Sequence, residues 1–145
     1  IFILVRINEL RNNPPYPINV YVKRVVDGDT FVDVQKRRYR LIGIDTPELK
    51  HGKTQEEPFA KEATEFTKKL IEHKYVKLKY STTKVDKYKR FLVYVYTPDN
   101  QLVNELLLEV GLAEIYKKSS HKLKEEFIQF ENKAKKDHKG MWATE

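Results

Sequence analysis

"VVDGDTFVDVQKRRYRLIGIDTPE", residues 25–48, joins two features in one segment: a hairpin, then a strand that stops on acids. Asp27-Gly28 lies between two β-rich runs, and such a dipeptide marks a hairpin because glycine takes φ > 0 cheaply. Thr30–Val34 alternates, with Val32 and Val34 against Phe31 and Asp33, as a half-buried strand does. Arg38–Ile44 reads as a third strand. It is headed by basic residues and ends in Asp45-Thr46-Pro47-Glu48.

Taken singly, each polar residue here has an ordinary reading. Asp29 and Asp45 suit turns, Glu48 a solvated surface, Arg40 a surface ion pair. The set reads differently. Two adjoining strand ends each deliver a carboxylate, and a third acid and an arginine lie within a few residues. Carboxylates at close range repel and so favour a cation between them. Asp29, just past the turn, is a hard oxygen donor of the kind such cations take. The spacing is not that of an EF-hand.

Arg40 and Asp45 are five residues apart, so a regular strand would point them to opposite faces. For both to serve one site the chain must bend between them. Gly43 is the expected place, since an isolated strand glycine marks a bulge or a barrel bend.

Working outward, Ile18–Val26, Tyr75–Tyr80 and Phe91–Tyr96 complete five strands. Phe59, Ala63, Phe66 and Leu70 recur at helical spacing, with Pro58 in the first turn. Val103, Leu106, Leu107 and Val110 form a second helix that Gly111 stops. Leu123, Phe127, Phe130 and Ala134 mark a third, and Trp142 is expected as a lid on the core. This order predicts an α+β, mainly β domain: a five-stranded, partly open OB-fold barrel with three α-helices. A flat sheet with helices on one face is the alternative. "RNNPPYPIN", residues 11–19, separates an N-terminal extension, 1–17, from a domain spanning 18–145. "IFILV", residues 1–5, reads as a short strand or the stump of a removed signal.

The chain has 145 residues, 40% apolar and 34% charged, which suits one globular domain. Lys and Arg total 28 against 21 Asp and Glu, a net +7 that favours polyanions. There is no cysteine, so disulfides and thiolate metal sites are excluded. No apolar run approaches the ~18 residues of a membrane span. His51, His73, His121 and His138 have no metal spacing and read as surface residues. No Gly-rich phosphate loop or Ser/His/Asp order points to another enzyme class. In "TTKVDKYKRF", residues 82–91, Lys84, Lys87, Lys89 and Arg90 surround Tyr88. The ordinary reading is a solvated loop; the functional one is phosphate clamping by Arg90 and Lys87, with Tyr88 as donor or stacking surface.

"DGDT", "RLIGIDTPE" and "DKYKR", in this order with helices between, resemble staphylococcal nuclease (thermonuclease) and its relatives, over about residues 18–142. The resemblance implies an OB-fold barrel with three helices. It implies a calcium-dependent phosphodiesterase that cleaves DNA and RNA with little sequence preference and leaves 3′-phosphates. Asp29 and Asp45 match the calcium carboxylates, with Thr46 lending its backbone carbonyl. Glu48 matches the general base, Arg40 and Arg90 the phosphate-binding arginines, and Lys87 and Tyr88 the contacts to a substrate phosphate. Tyr116 is the counterpart of the tyrosines that pack on the terminal base. Lys89 departs from the glycine usual in "DKYGR", and the loop from Lys50 to Pro58 is shorter than in the founding member.

Single-stranded or frayed DNA and RNA are the expected partners, with no obligate protein partner and a monomeric state. The resemblance leans toward a secreted or cell-surface location, although an intracellular relative would read the same. The competing class is a catalytically inactive OB-fold nucleic-acid-binding module; a third is a protein-interaction domain that keeps only the fold. Intact Asp29, Arg40, Asp45, Glu48 and Arg90 weigh against both.

Overall fold

The protein is described by a computed structural model covering residues 16–144. In chain order it runs β1 (Asn19–Asp27), β2 (Thr30–Asp33), β3 (Arg38–Leu41), β4 (Ile44–Asp45), α1 (Ala60–Ile71), β5 (Tyr75–Lys79), β6 (Phe91–Tyr96), α2 (Val103–Glu109), β7 (Glu114–Ile115) and α3 (Lys124–Lys136). A 3-10 turn over Gly140–Thr144 follows. Strands β1-β2-β3-β6-β5 form a closed barrel, so the expected five-stranded barrel is present and is closed rather than partly open. The flat-sheet alternative is excluded. All pairings are antiparallel except β3 with β6. Residues 1–15, with the "IFILV" run, lie outside the described residues. Among those described, no helix is long and apolar enough to cross a membrane.

The inward faces follow the period-two pattern. Val76 and Leu78 of β5 are buried between exposed neighbours, as alternation requires. On β2 the buried residues include Phe31 and Asp33, while Val34 is exposed. Phe31, Tyr39 and Phe91 stack in series, with ring centroids 4.8 and 5.4 Å apart. The Tyr39 hydroxyl donates to Asp33 Oδ2 at 2.7 Å, and the Arg37 Nε–H donates to the same oxygen at 2.6 Å. Burial alone would raise the Asp33 carboxyl, but these hydrogen bonds outweigh it and hold it below its ordinary range.

The third strand is shorter than the sequence predicts. β3 ends at Leu41, Gly43 takes φ +75°, and Ile44–Asp45 pairs with β7 in a separate two-stranded ribbon. The bend therefore falls at the expected glycine. Asn104, buried on α2, pins it: its Nδ2 donates to the carbonyls of Ile42 and Val93, and its Oδ1 accepts from the Val95 N–H. A Cβ at residue 43 would run into the His121 ring. That ring is held by Tyr94, whose hydroxyl lies 2.8 Å from Nδ1, and by packing on Phe127. His121 is thus half-buried, not a surface residue, because the helix α3 approach carries it onto the bend. Gly43→Ala is expected to lose roughly 2 kcal/mol or more of stability, from backbone strain and from steric overlap. Denaturant unfolding checks this, and adding His121→Ala should recover only the steric share.

The helices also depart in detail from the periodicity. α1 begins at Ala60, with Phe59 as its N-cap in a left-handed conformation, so Pro58 lies before the helix rather than in its first turn. Its buried face is Ala60, Ala63, Thr64, Thr67 and Ile71, and Phe66 and Leu70 pack at the margin. The tight helix–barrel approach selects this small-residue face. Leu123 is the N-cap of α3 rather than a helical residue. Gly111 follows α2 with φ +72°, as a helix stop does. Its carbonyl accepts from the Met141 N–H at 2.9 Å, which docks the C-terminal turn. Trp142 is only half-buried, with Lys135 Nζ 4.8 Å above its ring; it covers α3 rather than the barrel core.

Candidate active site

The β1–β2 turn delivers the first acid. Gly28 and Asp29 form it, and neither has a positive φ. The glycine is needed instead for close approach: a Cβ there would meet Thr46 Oγ1 at 2.8 Å and Ala63 Cβ at 3.0 Å. The turn is thereby pressed against the 45–48 segment and α1, where Thr67 Oγ1 donates to the Gly28 carbonyl at 2.7 Å. Asp29 is only 5% exposed. Its Oδ2 accepts from the Thr46 N–H at 3.0 Å and its Oδ1 from the Thr30 hydroxyl at 3.0 Å.

Arg40 is the hinge between the two acidic strand ends. Its Nη1 donates to the carbonyls of Leu41 and Ile44, at 2.9 and 2.8 Å, and so stitches the bend closed. Its Nη2 lies 3.3 Å from Asp29 Oδ2 and 3.4 Å from Asp45 Oδ1. The parity conflict is resolved by the Gly43 bend, and both carboxylates face one guanidinium. One cation does not balance this cluster. Burial, then the charge of Asp29, pushes the Asp45 carboxyl up to about 6 from 3.8, against the pull of Arg40; Glu114 and Glu48 add to the rise. Asp27 is raised too, by burial and by Asp29.

A cleft of about 490 Å³ opens beside this cluster. Arg40, Asp45, Glu48, Tyr88, Arg90 and Tyr116 all line it. Glu48 sits at the start of a loop that returns on itself, where the Glu57 N–H donates to the Glu48 carbonyl at 2.9 Å. Arg90 is presented by a tight turn built on Asp86, which sequence reading passed over. Asp86 Oδ1 accepts the N–H groups of Tyr88 and Arg90, and its Oδ2 takes Arg90 Nε–H at 2.8 Å. The signal was present as an Asp four residues before an Arg, a spacing that permits an Asx turn. The Arg90 guanidinium stacks on Tyr88 at 5.3 Å, and its two terminal nitrogens have no protein partner among the described residues. Lys87 does not line the cleft; its Nζ lies over the Tyr88 ring at 5.2 Å. Lys89 adopts φ +65°, which explains why glycine suits that position. Tyr88 and Tyr116 are 66% and 47% exposed, available to stack on a ligand.

With this geometry in view, comparison with known proteins is decisive. Residues 38–144 match the family model described as staphylococcal nuclease homologue. The chain belongs to the staphylococcal nuclease family. The thermonuclease of Staphylococcus hyicus is 36% identical over 127 residues, which is 85% of this chain and 75% of that protein. The thermonuclease of Staphylococcus intermedius is 45% identical over 95 residues, 63% of this chain and 56% of that protein. Endonuclease YncB of Bacillus subtilis (strain 168) is 32% identical over 133 residues, 87% of this chain and 62% of that protein. The chain thus spans between about half and three quarters of these nuclease-family relatives.

The raised Asp45 carboxyl makes a pH prediction for the metal-free protein. A folded-state pKa above the unfolded value means that ionisation destabilises the fold. In chelator, stability from this group is full below about 3.8 and is lost as pH rises through about 6. Asp33, held low, works oppositely and loses its contribution below its ordinary value. Unfolding in chelator should therefore show stability rising from pH 7 toward pH 5, then falling in stronger acid. Asp45→Asn should reduce the rise and leave the share that comes from Asp27, raised to about 7.

Proposed function

We propose that this nuclease-family domain is a calcium-dependent endonuclease that hydrolyses DNA and RNA phosphodiesters with little sequence preference, leaving 3′-phosphate ends. The observation that supports this most is the convergence of Arg40, Asp45, Glu48 and Arg90 on one cleft, with Asp29 tied to the same guanidinium. A module that only bound nucleic acid would gain nothing from acids facing phosphate.

The donor set suits a hard divalent cation. No cluster of three or more His, Cys, Asp or Glu side chains forms a metal cage among the described residues. An open site of two carboxylates and a carbonyl is compatible with that, because calcium takes 6–8 oxygens and accepts water and substrate for the remainder. The acidic crowding around Asp45 points the same way. In this reading Asp29, Asp45 and the Thr46 carbonyl hold the ion. When bound, calcium supplies Lewis-acid polarisation of the phosphate and a place to orient it.

The chain's own groups do the rest. Arg90 offers its two free terminal nitrogens to two phosphate oxygens, a fork that lysine lacks. Arg40 reaches the same phosphate by exchanging its long Nη2 contacts. Glu48 takes a proton from the attacking water as its oxygen bonds to phosphorus and the bond to the 5′ oxygen breaks, and the departing 5′ oxygen takes a proton from solvent to leave as the hydroxyl. Lys87 and Tyr88 hold the next phosphate, and Tyr116 stacks on a base.

Incubation with denatured DNA and with RNA, in calcium and then in chelator, tests the reading. Calcium-dependent cleavage with 3′-phosphate ends is expected. Binding without cleavage would establish the inactive module instead, and neither binding nor cleavage would leave only the fold.

A further inference from the structure

A second groove, of about 610 Å³, lies on the outer face of β1–β3, against the end of α1. Lys23, Arg24, Lys36, Arg38, Lys68 and His73 line it. Its two acids are already engaged. Glu72 Oε2 accepts the Val25 N–H at 2.9 Å, and Asp33 is buried under Arg37 and Tyr39. Among the described residues, Lys23, Arg24, Lys36 and Arg38 make no ion pair. Cations outnumber acids along the groove, which therefore carries a net positive charge.

Three backbone features build it. The register of β1 against β2 shifts between Val22 and Arg24, so Lys23 and Arg24 are both exposed in succession where alternation would bury one. Arg24 lies opposite Val32, and Val32 opposite Arg38, so the two arginines flank one valine on the same outer row. Lys36 and His73 have φ of +65° and +60°. Glycine or asparagine would sit there at lower cost, yet both positions carry basic side chains into the groove.

The groove and the cleft are neighbours along β3. Arg38 and Arg40 are two residues apart on β3 and share one face, roughly 7 Å apart along the strand. We infer that this groove is a second anchoring track for the sugar-phosphate backbone of a nucleic acid strand, holding the part of a long substrate that lies beyond the cleft. As a subsite it rests on the nuclease reading; as a polyanion-binding groove it does not. It reads no bases: it carries cations along a strand surface and offers few base-edge donors or acceptors.

The Arg24→Ala/Arg38→Ala variant tests it, since both side chains are exposed and unpaired and the fold should persist. Binding of a single-stranded 20-mer in chelator is measured across salt. Losing two phosphate contacts should reduce the slope of log K against log salt by about 1.4, so that affinity falls about sevenfold less between 50 and 200 mM salt. Cleavage of a dinucleotide that fills only the cleft should be unchanged. An unchanged slope, or equal losses on 20-mer and dinucleotide, would overturn the inference. If the parent protein cleaves nothing, the nuclease reading fails while the slope still decides the groove. Lys36→Gly provides an independent check: it should raise Tm by relieving φ strain while weakening 20-mer binding. A raised Tm with unchanged binding would remove Lys36 from the track.

Discussion

Glu48→Gln is expected to lower turnover by about 10²–10⁴-fold in a protein that folds normally. The substitution keeps the side chain's size and its backbone tie to Glu57, and removes only the ability to take a proton. Glu48 is exposed on the cleft wall and makes no ion pair among the described residues, so no structural partner is lost. Substrate binding should be nearly unchanged, with the loss in kcat rather than KM, because proton removal matters in the transition state. The measurement is steady-state cleavage of a defined single-stranded oligonucleotide with calcium, beside a thermal melt. Turnover equal to wild type would remove Glu48 from the base role. A matching drop in Tm would instead make it a loop-positioning residue.

Arg40→Lys is expected to cost about 10²–10³-fold in kcat/KM, and unlike the Glu48 change it should also reduce stability. The guanidinium spans two carbonyls with Nη1 and two carboxylates with Nη2. A lysine ammonium is a single point with three donors and cannot hold both groups at once. If it turns to the acids, the carbonyls of Leu41 and Ile44 lose their donor and the bend at Gly43 loosens. If it turns to the carbonyls, Asp29 and Asp45 face each other uncompensated. Arg90→Lys is less entangled with folding: only its Nε–H is engaged, on Asp86 Oδ2, so its loss should appear mainly in rate, with a smaller drop in melting than Arg40→Lys. Wild-type kcat/KM in Arg40→Lys would show that a simple positive charge suffices and that the guanidinium shape is irrelevant.

Several site residues were legible from pattern. The acid at the end of β1–β2, the acid after the Arg38 strand, and the glycine between Arg40 and Asp45 all follow from strand periodicity broken at turn residues. The location of the bend could be anticipated because two side chains needed the same face and only one residue between them tolerates positive φ. Other features could not be read. Asp86 looks like any loop acid until the turn closes around it. His121 looks like a surface histidine, because nothing near it in sequence shows that α3 brings it against Gly43 and Tyr94. Gly28 suggested a left-handed turn, whereas its actual constraint is a threonine eighteen residues later. Lys23 and Arg24 lie in a run that reads only as a strand, because the register shift that exposes both exists only once β1 pairs with β2.

Local patterning thus decided the elements, the turn positions and the chemical inventory of acids, arginines and tyrosines. These depend on period, turn chemistry and residue type, which are properties of neighbours along the chain. The tertiary structure decided which of them meet: closure of β3 onto β6, the packing of the Gly28 turn on Thr46, and the α3 approach to the bend. Those contacts join residues tens of positions apart, and their free energy comes from burial and hydrogen bonds that no local window contains.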